Sequence, residues 1–403
     1  MAGAVHGCES VKCNDRASRR FMMVHVNAHR PSQRSPQTQL LVITAILALL
    51  AMATTSSGQN APQTERAVGA TVRRVVSPRP YNWRGAATRA LVTTIWYPAA
   101  SGTVMAERVV GPQESPLFRL GSWTDDSVRA EGRFPLILLS HGTGGSAQIM
   151  AWVARGLASA GFIVAAVNHP GNNALEPYTA EGFLVWWERA KDLSTVLDFM
   201  LRDADFAGAV DRRRIGAIGY SLGGYTMFEI AGARTDPALL RQFCASSPAE
   251  GCDDPPEFPD LFARWNELEA TNNQFQAEVK EARRSYRDNR VRAVFAIAPA
   301  LGPALIPSTV QRISIPVEIV AGQNDQIAPV AFNAQTLARL TPKARLTLLP
   351  GAGHYTFLAT CTDRGRREQP QLCIDASGVD REAVHARTLD LAVAFFRTSL
   401  GTD

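Results

Sequence analysis

Six short stretches of the chain are almost continuously apolar, and that pattern leaves few folds open. They are FPLILLS (134–140), FIVAAVN (162–168), RIGAIG (214–219), VRAVFAIAP (291–299), PVEIVAG (316–322) and ARLTLLPG (344–351). A strand with one wet face alternates polar and apolar residues, whereas a strand covered on both faces does not. ALVTTIWYP (90–98) adds a β-branched and aromatic strand stopped by Pro98. Amphipathic stretches near 147–160, 184–203, 222–233, 328–340 and 381–399 read as helices between the runs. Strand and helix in alternation require right-handed crossovers, so the expectation is a doubly wound α/β fold: a mostly parallel central sheet flanked by helices. Residues 54–89 read as a polar lead-in with the first strands. Residues 234–290 break the rhythm with Cys244, Cys252, the turn cluster DDPPEFPD and a charged helical stretch. Inserted there, they form a helical cap over the sheet's carboxyl edge, where open α/β sheets bind ligands, or a solvated excursion with no role in binding. The 403 residues would fill two or three average domains of about 150 residues, but folds of this class run to about 250 as one unit.

Gly219-Tyr220-Ser221-Leu222-Gly223-Gly224 lies between the strand RIGAIG and the helical YTMFEIAG. This is the strand–turn–helix setting of a nucleophile elbow, in which glycines let backbones crowd around a serine in a strained turn. A serine hydroxyl needs a base to take its proton and a carboxylate to orient that base. Asp325 follows the strand PVEIVAG and His354 follows ARLTLLP, giving the chain order serine, acid, histidine on successive strand ends. His141, His169 and His385 read as structural or pocket-lining. Asp192, Asp198, Asp203 and Asp211 precede the serine, Asp363 follows the histidine, and Glu318 sits inside a strand. For the oxyanion of a tetrahedral intermediate, two backbone N–H donors are expected, from Leu222 and from Thr143 in the loop Ser140–Ser146. Tyr220 and Tyr355 flank the nucleophile and the base and are expected to touch substrate; Trp186 and Trp187 are candidates for the pocket lining or the core. No metal-ligand spacing and no phosphate-binding loop occurs, so neither a metal nor a cofactor is expected.

Taken together, LSHGTGGS, GFIVAAVNHPG, GYSLGG, AVFAIAPALG, GQNDQIAP and GAGHYTFL resemble the α/β-hydrolase superfamily over roughly residues 80–399. Within it they resemble the platelet-activating-factor acetylhydrolases and predicted dienelactone-hydrolase-like esterases. The resemblance implies an α/β-hydrolase fold and an exported serine esterase with Ser221, Asp325 and His354 as triad. It also implies an oxyanion N–H on the residue after His-Gly, which is Thr143. True dienelactone hydrolases carry a cysteine nucleophile where this chain has Ser221, so a carboxylesterase acting on a short-acyl or lipid-like ester is the reading here. The alternatives are a lipase or polyesterase acting on long-chain or polymeric esters, and a serine peptidase of the same fold. A binding protein on a hydrolase scaffold is the remaining class.

The apolar run Leu40–Ala53 follows Arg30 and Arg34 and ends in Ala51-Met52-Ala53 before a polar stretch. It is shorter than the roughly 20 residues a spanning helix needs, and it has the anatomy of a cleaved signal peptide. The lead ahead of it is long for such a signal, which raises Met22 and Met23 as alternative starts to Met1. Cleavage would leave an α/β domain over 54–403 in the periplasm or outside the cell, with no stable membrane span. Cys244, Cys252, Cys361 and Cys373 would remain, and four cysteines allow three pairings, of which nearest-neighbour is the simplest. Of the 42 basic and 37 acidic residues, six and two precede residue 54. The rest of the chain is therefore nearly neutral, which gives no footprint for nucleic acid. Mass spectrometry of the exported protein is expected to find Thr54 at the amino terminus; an intact Met1, Met22 or Met23 would instead mark an uncleaved anchor.

Overall fold

Strands buried on both faces dominate the centre of the structure. The computed structural model describes residues 65–76, 90–246 and 252–401; the apolar run at 40–53 and its cleavage pattern lie outside the described residues. The strands are β1 (Val68–Val75), β2 (Leu91–Pro98), β3 (Ala106–Val110), β4 (Phe118–Asp125), β5 (Phe134–Ser140), β6 (Ile163–Val167), β7 (Val210–Tyr220), β8 (Ala293–Ile297), β9 (Val317–Gly322), β10 (Ala344–Leu349) and β11 (Thr360–Cys361). They form one sheet in the order β10-β9-β8-β7-β5-β6-β2-β1-β4-β11, with β3 on β4. Strands β5 to β10 pair in parallel. Strands β1 and β2 pair antiparallel, and β2 joins β6 antiparallel.

All seven expected strands are present. Their lack of alternation has the predicted cause: Leu136 and Leu138 of β5 face one apolar layer, while Ile137 and Leu139 face the other. Strands β3, β4 and β11 went unpredicted. They are half-exposed, with a register irregularity at Arg108/Val109 and Gly121 at φ +91°, so no continuous apolar run marks them.

The principal helices are α1 (Ala151–Ser159), α2 (Glu188–Met200), α3 (Leu222–Ala231), α4 (Pro237–Ser246), α5 (Leu261–Thr271), α6 (Asn273–Glu281), α7 (Ala334–Leu340) and α8 (Arg381–Leu400). One layer on the sheet contains α2 and α3, and the other contains α1 and α8. The segment 234–290 supplies α4, α5 and α6. They are seated through Trp265 and Phe275, whose rings meet edge-on at 5.5 Å. Both cysteine pairs are disulfides in the nearest-neighbour pattern, Cys244–Cys252 and Cys361–Cys373. Among the described residues, no helix is long and apolar enough to cross a membrane.

Helix α3 is buried on every side and carries a carboxyl group into the core. Oε1 of Glu229 accepts a hydrogen bond from the Tyr225 hydroxyl at 2.9 Å and another from Thr235. Its Oε2 has no partner among the described residues. Burial pushes Glu229 from the ordinary 4.5 up to about 8, against the opposing hydrogen bonds from Thr235 and Tyr225. A carboxyl raised on folding favours the native state while protonated; that contribution is complete below pH 4.5 and is lost as pH rises through about 8. Glu229→Gln, which has no charge to bury, is therefore expected to gain melting temperature relative to wild type between pH 5 and 9. A difference that stays flat across that range would show that Glu229 does not titrate there.

Candidate active site

The turn between β7 and α3 is set by backbone crowding. A Cβ on Gly219 would lie 2.2 Å from the Gly223 carbonyl oxygen, and one on Gly223 would lie 2.0 Å from the Ser140 carbonyl oxygen. Only glycine fits at either position, which is the physical content of the G-x-S-x-G spacing. Between them Ser221 takes φ +55° and ψ −115°, a conformation costing an L residue about 1–2 kcal/mol. Neighbouring backbone holds it there. The Ser221 N–H donates to the Ile297 carbonyl at 2.9 Å, and the Ser221 carbonyl accepts from Tyr225 and Ala300.

The acid and histidine loops are tied to each other. The N–H groups of Gln323 and Asn324 donate to the carbonyls of Leu349 and Ala352, and a Cβ on Gly322 would meet the Ala352 carbonyl at 2.3 Å. This sets Asp325 beside His354, with 2.7 Å between Oδ2 and Nδ1. The other carboxylate oxygen, Oδ1, accepts from the N–H groups of Ile327 and Ala328 at 3.0 and 2.7 Å. Nε2 of His354 lies 2.9 Å from Ser221 Oγ. Because the carboxylate only accepts, Nδ1 carries the proton and the Nε2 lone pair faces the serine hydroxyl. All three side chains are buried at the carboxyl edge of the sheet.

The expected oxyanion loop follows β5, and it runs close enough to Ser221 that a Cβ on Gly142 would sit 3.2 Å from the serine's own Cβ. The backbone N–H groups of Thr143 and Leu222 have no acceptor among the described residues. Every neighbour of Thr143 is fixed. Arg189 donates from Nη1 to the His141 carbonyl at 2.5 Å, Gly144 N–H donates to Asn172 Oδ1 at 2.6 Å, and the Tyr178 hydroxyl donates to the Gly144 carbonyl at 2.8 Å. His141 is held well below its ordinary pKa by burial first, then by Arg189 and His169. Its Nδ1–H donates to the Gly142 carbonyl at 2.7 Å, while Nε2 accepts from the His169 N–H at 3.2 Å.

Beneath the loop lies a second serine–histidine–aspartate line. Ser140 Oγ is 2.9 Å from His169 Nε2, and His169 Nδ1 is 2.7 Å from Asp192 Oδ2. Ser140 and His169 are wholly buried and Asp192 nearly so. Sequence order sets Asp192 aside as an acid, yet here it orients a histidine at the root of the loop after β5. The signal was in the sequence: NHPGNN follows β6 as SHGTGG follows β5, and adjacent parallel strands bring their ends together.

Tyr220, expected at the substrate, is buried, and its hydroxyl donates to the His354 carbonyl at 3.0 Å. Trp187 is wholly inside the core, and Trp186 is buried against Trp187 and Trp265. Tyr355 stays beside the base, ring to ring at 5.6 Å. Sequence reasoning missed Arg189, Asn172 and Tyr178, which reach the loop from residues remote in the chain. The histidine loop is anchored from behind. The carbonyl of Thr356 contacts His385 Nε2 at 3.0 Å, and the Trp152 indole donates to the Phe357 carbonyl at 2.9 Å. Among the described residues, no group of three or more His, Cys, Asp or Glu could hold a metal ion.

The Alpha/beta hydrolase family matches residues 136–366, which include Ser221, Asp325 and His354. Cutinase est2 of Thermobifida alba is 31% identical over 110 residues, covering 27% of this chain and 33% of that cutinase. A cutinase of Thermobifida fusca is 28% identical over 110 residues, covering 27% and 31%. The chain thus spans about a third of the length of these curated relatives. Among solved structures, a ferulic acid esterase from Streptomyces cinnamoneus superposes with a TM-score of 0.57 at 22% identity, covering 84% of this chain and 92% of that one. Its likeness is one of fold.

If the buried Ser140–His169–Asp192 line holds the loop, Asp192→Asn should lower stability by about 2 kcal/mol, because a fixed N–H donor loses its carboxylate. Chemical denaturation reads this directly, and an unchanged midpoint would detach Asp192 from the loop's support.

Proposed function

The chain belongs to the alpha/beta hydrolase family, and we propose that it is a serine carboxylic-ester hydrolase working through an acyl-enzyme on Ser221. The observation that carries the reading is the continuous line Ser221–His354–Asp325, at 2.9 and 2.7 Å. His354 Nε2 takes the hydroxyl proton as Ser221 Oγ attacks the ester carbonyl. The resulting oxyanion lies between the N–H groups of Leu222 and Thr143, which have no other acceptor among the described residues. His354 then returns its proton to the leaving alcohol, and water releases the acid by the same steps. Asp325 holds the imidazole in the required tautomer and offsets its charge when it is protonated.

The substrate reading is a short-acyl or lipid-like ester, in keeping with the motif resemblance to platelet-activating-factor acetylhydrolase-like and dienelactone-hydrolase-like esterases. A polyesterase reading is favoured by the similarity to cutinases over 110 residues. Export is proposed from the apolar run at 40–53 together with two disulfides, which persist in oxidising compartments. The domain is proposed as residues 54–403, with 234–290 inserted as a cap.

The two serine–histidine–aspartate lines make the test sharp. A fluorophosphonate is expected to label Ser221 and leave Ser140 untouched. Ser221→Ala should abolish labelling and cut p-nitrophenyl ester hydrolysis by about 10⁴-fold or more. Label on Ser140, or hydrolysis that survives the substitution, would overturn the assignment. A p-nitrophenyl chain-length series separates the substrates, since preference for long acyl chains would favour the lipase or polyesterase reading.

A further inference from the structure

The inserted segment places a carboxylate at the catalytic centre that the hydrolytic steps do not use. Glu257 lies in the turn cluster DDPPEFPD, just after the Cys244–Cys252 disulfide. Two further contacts hold this turn. The Phe262 N–H donates to Asp254 Oδ1 at 2.8 Å, and the Phe258 ring lies 5.1 Å from the Phe183 ring. Glu257 thereby rests on the oxyanion loop: a Cβ on Gly144 would lie 2.9 Å from its Cγ and 3.1 Å from the Tyr178 hydroxyl. Gly144 is the residue next to Thr143, so the carboxylate sits one residue from a proposed oxyanion donor.

Tyr178, Tyr220 and Tyr355 are raised chiefly by burial and further by the charge of Glu257. Glu257 forms no ion pair among the described residues. Burial raises its own pKa, opposed by its own backbone N–H and by His354. Two of the three tyrosine hydroxyls are directed elsewhere: that of Tyr178 donates to the Gly144 carbonyl and that of Tyr220 to the His354 carbonyl. A half-buried carboxylate with no cation of its own attracts any donor or positive charge brought next to it.

We propose that Glu257 is the specificity-determining residue of this site, selecting esters with a cationic or hydroxyl-bearing group beside the carbonyl and turning away anionic ones. The proposal rests on the serine-esterase reading above. It also gives the inserted segment a function, as the element that carries this charge to the oxyanion loop.

Pairs of esters that differ in charge test it on both sides of the carbonyl. On the alcohol side, choline acetate is compared with its carbon isostere 3,3-dimethylbutyl acetate. On the acyl side, p-nitrophenyl hemisuccinate is compared with p-nitrophenyl butyrate. Glu257→Gln keeps the shape and removes the charge. It is expected to lower the cationic-to-neutral ratio of kcat/KM by about five-fold and raise the anionic-to-neutral ratio by a similar factor, the scale of one partly screened charge pair. Ratios are read because loss of a charge near His354 also changes the rate on every ester. Glu257→Asp, which restores the charge, should recover part of the wild-type preference. If both ratios stay within two-fold of wild type while a fluorophosphonate still labels Ser221, the proposal about Glu257 fails and the esterase reading stands. If the wild type neither hydrolyses any of the esters nor takes the label, the esterase reading itself fails.

Discussion

The close approach of three backbone segments at the ends of β5 and β7 governs the rest of the site. Gly219, Gly223 and the Ser140 carbonyl lie so near one another that a single added Cβ would fall within 2.0 to 2.2 Å of a backbone atom. That crowding leaves Ser221 a positive φ and lifts its hydroxyl out of the turn. The same crowding brings the loop after β5 against the nucleophile, because Gly142 passes beside Tyr220 and Ser221. Ser221 and the loop after β5 are thus placed by one packing event. Asp325 and His354 come from a separate pair of strand ends, β9 and β10, joined by their own backbone hydrogen bonds. A strained serine costs about 1–2 kcal/mol, a small charge against a sheet whose central strands are buried on both faces.

How much could be read from the residues follows from what each part of the structure asks of its sequence. Strands β5, β6 and β8 were legible because burial on both faces leaves them almost wholly apolar, and the inner half of β7, Ile215–Tyr220, reads the same way. Strands β3, β4 and β11 share their surface with solvent, and β4 bends at Gly121, so their residues look like any loop. Ser221, Asp325 and His354 were legible because each follows a strand end in an order that topology constrains. Arg189 and Tyr178 were not, since nothing in their neighbourhoods in the chain says that they fold back onto residues 141–144. Tyr220 is next to Ser221 in sequence and its ring lies 5.1 Å from that of His354, but nothing in the sequence shows that the chain itself takes up its hydroxyl. Its ring goes into the layer beneath and its hydroxyl supports the His354 carbonyl.

The segment 234–290 was the least legible region, for a related reason. Its turn cluster of prolines and acids carries no period and so announces only a loop. Its chemistry is a matter of where the loop is pinned. The disulfide at one end and the Phe183–Phe258 contact beside Glu257 fix a residue that composition alone would assign to the solvated surface.

Two serine–histidine–aspartate lines with the same distances, 2.9 and 2.7 Å, stand on adjacent strand ends. Hydrogen-bond geometry therefore cannot be what makes one of them a candidate for catalysis. Ser221 sits in a strained turn at the start of a helix, beside two backbone N–H groups with no acceptor among the described residues. Ser140 ends a regular strand, wholly buried, with its hydroxyl directed at His169. A tetrahedral intermediate needs room for an acyl group and donors for its oxygen. Among the described residues, the Ser221 line has beside it two N–H groups, of Leu222 and Thr143, with no acceptor. The buried line supports the loop instead: His169 N–H donates to His141, whose own N–H meets the Gly142 carbonyl, so order in the hidden line passes directly to the loop that contains Thr143.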